Sequence, residues 1–142
     1  MNRILSNPAT TQKLFGGFLS HEYTVFNWNT GGHWGSSLIH MQRGENDTYN
    51  HVLHNGVLDP LHDPDTVRFV HQRMHGVLGA LGVTFAPRPE RTFWVPQQRD
   101  SYSCGLVSAY IKRLLIKRIA DQYLPSGPQK YDNAAMWRPA RE

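Results

Sequence analysis

The chain holds one cysteine, Cys104, at the point where a polar stretch (Arg99, Asp100, Ser101, Ser103) gives way to Leu106, Val107, Tyr110, Ile111, Leu114 and Leu115. The spacing of those apolar residues predicts one face of a helix, with the thiol at its N-terminus. Unpaired backbone N–H groups and the positive end of the helix dipole favour an anion there, and the thiolate is the reactive form of cysteine. Six positions upstream, Gln98 carries an amide that can donate a hydrogen bond to an oxyanion forming beside the sulfur. A nucleophile and a stabiliser of developing charge are the parts of acyl-transfer chemistry. A proton acceptor is still needed, and the chain offers eight histidines.

The string Pro96-Gln97-Gln98-Arg99-Asp100-Ser101-Tyr102-Ser103-Cys104-Gly105 resembles the cysteine segment of the ubiquitin-like-protein proteases, papain-like thiol proteases of the SUMO-protease type. The family pattern is Pro-Gln-Gln, three variable residues, an aromatic, one more residue, then Cys-Gly, and every position is filled. The resemblance implies Cys104 as nucleophile and Gln98 as the oxyanion-hole residue. Where the family usually has an acidic residue before the cysteine stands Ser103, a residue type suited to capping a helix. The family also has a His-Trp pair on an earlier strand, and His33-Trp34 matches it after Tyr23 to Trp28 and the Thr30-Gly31-Gly32 turn. By resemblance His33 is the general base and Trp34 lines the channel for the substrate's Gly-Gly tail.

The third member departs from the pattern. The family orients its histidine with an aspartate in a setting such as Tyr-x-Asp-Ser-Leu, whereas this chain reads Tyr49-Asn50-His51-Val52-Leu53-His54-Asn55-Gly56. Aligning tyrosine, leucine and Asn-Gly puts His51 at the aspartate position, with Asn50 as the alternative, since papain-like enzymes use asparagine in that role. Asp47 and Asp59 are acidic neighbours that need a shift of spacing to serve.

The elements that must position these groups follow from the punctuation of the chain. Asn7-Pro8 starts a short helix to Leu14 or Phe15, ended by Gly16-Gly17. Strands are expected over residues 23–28, 33–42 and 48–53, with a polar turn at 43–47. A loop over 54–63 follows, read from Asn55-Gly56 and Asp59-Pro60. Asp63-Pro64 caps a connecting helix through Val67, Val70, Met74, Val77 and Leu81 to Gly82, and residues 91–95 form a short strand delivering the chain to Pro96. Residues 1–124 are expected to form a catalytic-type domain with most of the family's N-terminal lobe missing, and 125–142 a tail.

Composition bounds the remainder. With 142 residues and 39% hydrophobic content, one domain with its own core is expected. The net charge of +4 is scattered apart from Lys112-Arg113 and Lys117-Arg118, which read as a solvated helix face, so no nucleic acid partner is implied. A lone cysteine excludes an internal disulfide and a multi-cysteine zinc site and suits a reducing, intracellular setting, nuclear or cytoplasmic. No long apolar run suggests a signal or membrane segment near the start. His71 and His75 share a helix face four apart, but Gln72 stands where a metalloprotease helix has glutamate, so no metal or other cofactor is expected.

Together these readings predict an α+β, papain-like fold in which a small antiparallel sheet carrying His33 packs on the helix bearing Cys104. The resemblance implies a thiol protease cleaving after the C-terminal Gly-Gly of a SUMO-like or other ubiquitin-like modifier, by deconjugation or precursor processing. The alternatives are a catalytically impaired relative that binds modifiers or other proteins, and an acyl transferase using the same Cys-His pair.

Overall fold

The computed structural model describes residues 13, 15–98 and 104–123; of residues 104, 122 and 123 it describes the backbone. The helix expected to begin at Asn7-Pro8, the motif residues 99–103 and the tail lie mostly or wholly outside that range. In chain order the elements are a 3-10 turn (Gly16–Ser20), β1 (Tyr23–Thr30), β2 (His33–Arg43), a second 3-10 turn (Glu45–Asp47) and β3 (Tyr49–Leu58). There follow α1 (Pro64–Ala80), β4 (Thr84–Phe85), β5 (Glu90–Thr92) and α2 (Cys104–Tyr123).

β1, β2 and β3 pair antiparallel, while β4 and β5 each pair parallel with β3. The expected antiparallel sheet is present in β1 to β3, and two short parallel strands extend it. The reason is the connection: α1 carries the chain back along the sheet, so that it rejoins β3 running in the same direction. The chain closes β1 onto β2 through Gly31 and Gly32, with φ of 61° and 96°. Two consecutive positive φ values are the requirement of the tight two-residue turn that matches strand twist, and glycine meets it without strain.

Helices cover both faces of the sheet. On one side α1 buries Val67, Val70, Met74 and Leu78 against Ile39, Met41, Val52 and Val57, with Phe18 anchoring the first 3-10 turn. On the other, Ile111 and Leu115 of α2 pack on Leu38, Leu58, Phe93 and Val95. Leu38 and Ile39 thus serve opposite layers, as the two-residue period of a strand dictates. α1 starts as read, with the Asp63 carboxylate accepting from Asp65 N–H and Pro64 in the first turn. α2 is narrower in its packing than its apolar residues suggested, for Leu106 is 80% and Tyr110 63% exposed. Six apolar residues at 100° steps cover more than the arc one sheet can bury. No helix among the described residues is long and apolar enough to cross a membrane.

β3 runs five residues further than expected. Asn55-Gly56, read as a turn, lies inside the strand: Asn55 is fully buried, its Nδ2 donates to His71 O (3.2 Å) and its backbone N–H to Pro89 O (2.8 Å). Gly56 is there because the Phe93 ring crosses its backbone; a Cβ at 56 would lie 2.3 Å from Phe93 Cε2. Between His40 and Met41 the register slips, pairing His40 with His54 but Met41 with Val52, so Leu53 is the extra residue of a bulge.

Candidate active site

The site forms where β2 begins and β3 ends, which the antiparallel register makes neighbours: Ser36 lies opposite Leu58. The glycine turn makes His33 the first residue of β2, and Asp59 is the first residue after β3. The His33 Nε2–H donates to Asp59 Oδ1 at 2.6 Å, with the two side chains 14% and 1% exposed. A charged carboxylate sealed from water is stable only when its oxygens are satisfied. Here Oδ1 also accepts Leu61 N–H (3.0 Å) and Oδ2 accepts Asp63 N–H (2.9 Å), so the Asp59-Pro60 turn folds its own backbone around the carboxylate.

Holding the proton on Nε2 leaves Nδ1 as the basic nitrogen of the imidazole. His33 Nδ1 is buried and has no hydrogen-bond partner among the described residues. The same strand carries the start of α2: Ser36 Oγ donates to Ser108 O at 3.0 Å, and a Cβ placed on Gly105 would meet Trp34 Cδ1 at 3.5 Å. The backbone of Cys104 is thus the helix start next to the residue that follows His33. Trp34 itself stands 41% exposed at this lip.

The loop after β3 also gathers Gln98. Its backbone N–H donates to Pro60 O at 2.9 Å, and His62 Nε2–H donates to Val95 O at 2.7 Å, tying the strand-to-helix connection to the aspartate turn. Asp63, one turn on, has its carboxyl held below the usual carboxylate range, first by the Thr66 hydroxyl and then by Asp65 N–H, with His33 a lesser influence. His33, Asp59, Gln98 and the first turns of both helices therefore share one end of the sheet.

His51 and Asn50 are elsewhere. His51 pairs with Gln42, nine positions along β2 from His33. At ~3.3 Å per residue that separates them by roughly 30 Å. Its Nδ1 is hydrogen-bonded to Thr84 Oγ1 (2.7 Å), and Asn50 is exposed. Neither contacts His33; Asp59 does. By sequence Asp59 fits the family's spacing only with a shift, and the expected strand end at Leu53 gave no reason to make one. The available signal was Val57-Leu58-Asp59-Pro60, an apolar strand end running into an Asp-Pro turn.

The paired helix histidines are used separately. His71 Nε2–H donates to Arg91 O (2.9 Å), and burial pushes its pKa down. His75 stacks on Phe85 at 4.1 Å between centroids. Among the described residues no group of three or more His, Cys, Asp or Glu side chains is placed to hold a metal ion.

Residues 19–125 match the Ulp1 protease family, C-terminal catalytic domain. The fold is similar to that of a solved de-sumoylating protease, with a TM-score of 0.50 and 19% identity over 88% of this chain. The chain spans 54% of the length of that protease chain. Comparison with curated proteins gives no match.

Proposed function

We propose that the chain, which belongs to the Ulp1 protease family, is a thiol peptidase of papain-like design. Its substrate is a SUMO-like modifier, cleaved after the C-terminal Gly-Gly. The observation that carries this reading is the His33–Asp59 pair, 2.6 Å apart, with the remaining ring nitrogen buried and unpartnered among the described residues, on the strand whose Trp34 and Ser36 meet the first turns of the cysteine helix. Such a ring is oriented, has its basic nitrogen defined, and is poised to take a proton from a neighbouring thiol.

In the proposed reaction the Cys104 thiol gives its proton to His33 Nδ1 and the sulfur attacks the glycine carbonyl carbon. The oxyanion is bound by the Gln98 amide and the Cys104 backbone N–H. Collapse breaks the C–N bond as the imidazolium donates its proton to the departing amine, leaving a thioester. Water, deprotonated by the same ring, then attacks the thioester and frees the carboxylate, and the thiol is restored. Asp59 stabilises the imidazolium at each stage without itself taking the proton. It therefore takes the role for which His51 and Asn50 were the sequence candidates. Trp34, exposed at the lip, is assigned to the narrow passage for the Gly-Gly tail.

A SUMO or ubiquitin probe with a cysteine-reactive group at its C-terminus tests the reading. An adduct that is lost in Cys104→Ser supports it, and binding without an adduct supports the non-catalytic alternative instead.

A further inference from the structure

Trp28 is opposite Gly35 in the β1–β2 register. A Cβ on Gly35 would fall 2.0 Å from Trp28 Cζ2 and 2.3 Å from Cη2, so the indole lies directly against the β2 backbone two residues beyond His33. From that seat it meets the His33 ring edge to face, at 5.6 Å between centroids and 74° between planes. Separations and angles of this kind are those aromatic pairs favour.

Two features set Trp28 apart from a residue that only fills the core. Its Nε1–H is buried without a hydrogen-bond partner among the described residues, a destabilising arrangement that phenylalanine would avoid. Its surroundings on the α1 side are open, because it forms part of the wall of a cavity of about 770 Å³ shared with Phe26, Phe69 and Met74. The indole is thus fitted closely on the side of Gly35 and His33 and loosely on the other. A strand glycine weakens a sheet, and at position 35 its missing side chain is what lets the indole lie down.

We propose that Trp28, seated on Gly35, is a positioning residue for His33: it blocks rotation of the imidazole, keeping Nε2 on Asp59 and Nδ1 directed toward the thiol. This rests on the peptidase reading above. Among the described residues the charged groups that face the ring are Asp59 at the end of β3 and Asp63 at the start of α1.

The test uses the whole chain and two readouts: the pH dependence of Cys104 alkylation by iodoacetamide, and the nitrogen shifts of the His33 ring by NMR. In Trp28→Phe, which keeps apolar bulk but withdraws the second ring, alkylation near pH 6 should fall about tenfold, because a reacting group displaced even slightly loses rate. The His33 ring should show exchange between tautomers. Gly35→Ala, whose methyl group must displace the indole, should do the same, and adding it to Trp28→Phe should change little further. Wild-type alkylation and a single His33 tautomer in both folded variants would overturn the proposal. Ordinary thiol behaviour in the wild type would overturn the peptidase reading instead, and the ring spectrum would still decide whether Trp28 holds His33.

Discussion

The two ends of β3 carry a histidine and an aspartate, and they are used in opposite ways. At the start, His51 is half-exposed, hydrogen-bonded to Thr84 beside a register slip, and opposite the far end of β2. At the finish, Asp59 is buried, holds His33 at 2.6 Å and is itself held by two backbone N–H groups. The histidine is nearer in sequence to the family's spacing, yet the aspartate is the one in contact. In an antiparallel sheet the start of one strand meets the finish of its neighbour, so partnership is decided by strand length and register, and a count of residues from His33 carries little weight.

The sharpest break of this comparison is a pair of substitutions, one at each end. Asp59→Asn removes the charge that stabilises the imidazolium and inverts the hydrogen bond that fixes the tautomer. Turnover of a modifier fusion should drop by about 10³–10⁴, with the fold retained by circular dichroism. His51→Asp should leave turnover within about twofold, since no contact links residue 51 to His33. A rise in turnover with His51→Asp, or activity undisturbed by Asp59→Asn, would return the third role to the other end of the strand.

A second experiment probes whether the strand runs on through Asn55-Gly56. Gly56→Ala puts a methyl group 2.3 Å from the Phe93 ring and 3.1 Å from Leu38 O. Repacking on that scale costs about 1–3 kcal/mol, which thermal or denaturant unfolding will read directly. A silent substitution would indicate a flexible turn at this point.

The smallest effect concerns the histidine that anchors α1 to this strand region. Burial lowers the pKa of His71, so the folded chain resists a proton that the unfolded chain accepts below the ordinary value of about 6.5. Above that pH both states are neutral and nothing is gained or lost. As pH falls through that value the unfolded chain binds more protons, and stability declines until the folded group also titrates. The melting temperature should fall by a few degrees between pH 7 and pH 5, and less in His71→Gln; an unchanged slope in the variant would remove His71 as the cause.

The parts of the candidate site that residue order makes legible carry local signals. The Pro-Gln-Gln to Cys-Gly string, the glycine turn before His33, and the Asp63-Pro64 cap each depend on neighbours a few positions apart. The match of residues 19–125 to the Ulp1 family bears out the family resemblance. The missed features depend on contacts from afar. Asn55-Gly56 resembles a turn until Phe93, His71 and Pro89 occupy its groups. Leu106 and Tyr110 resemble core until the sheet covers only one arc of α2. Asp59 resembles an ordinary Asp-Pro turn until β2 sets His33 against it.

The order of residues by itself determined which groups are available: one thiol, a histidine following two glycines, an amide ahead of a helix, and the apolar periods that make strands and helices. Tertiary structure alone decided which acid contacts His33 and how long β3 runs. Backbone preferences act over a few residues, whereas a buried histidine–carboxylate hydrogen bond forms only when register brings distant segments together and excludes water from between them.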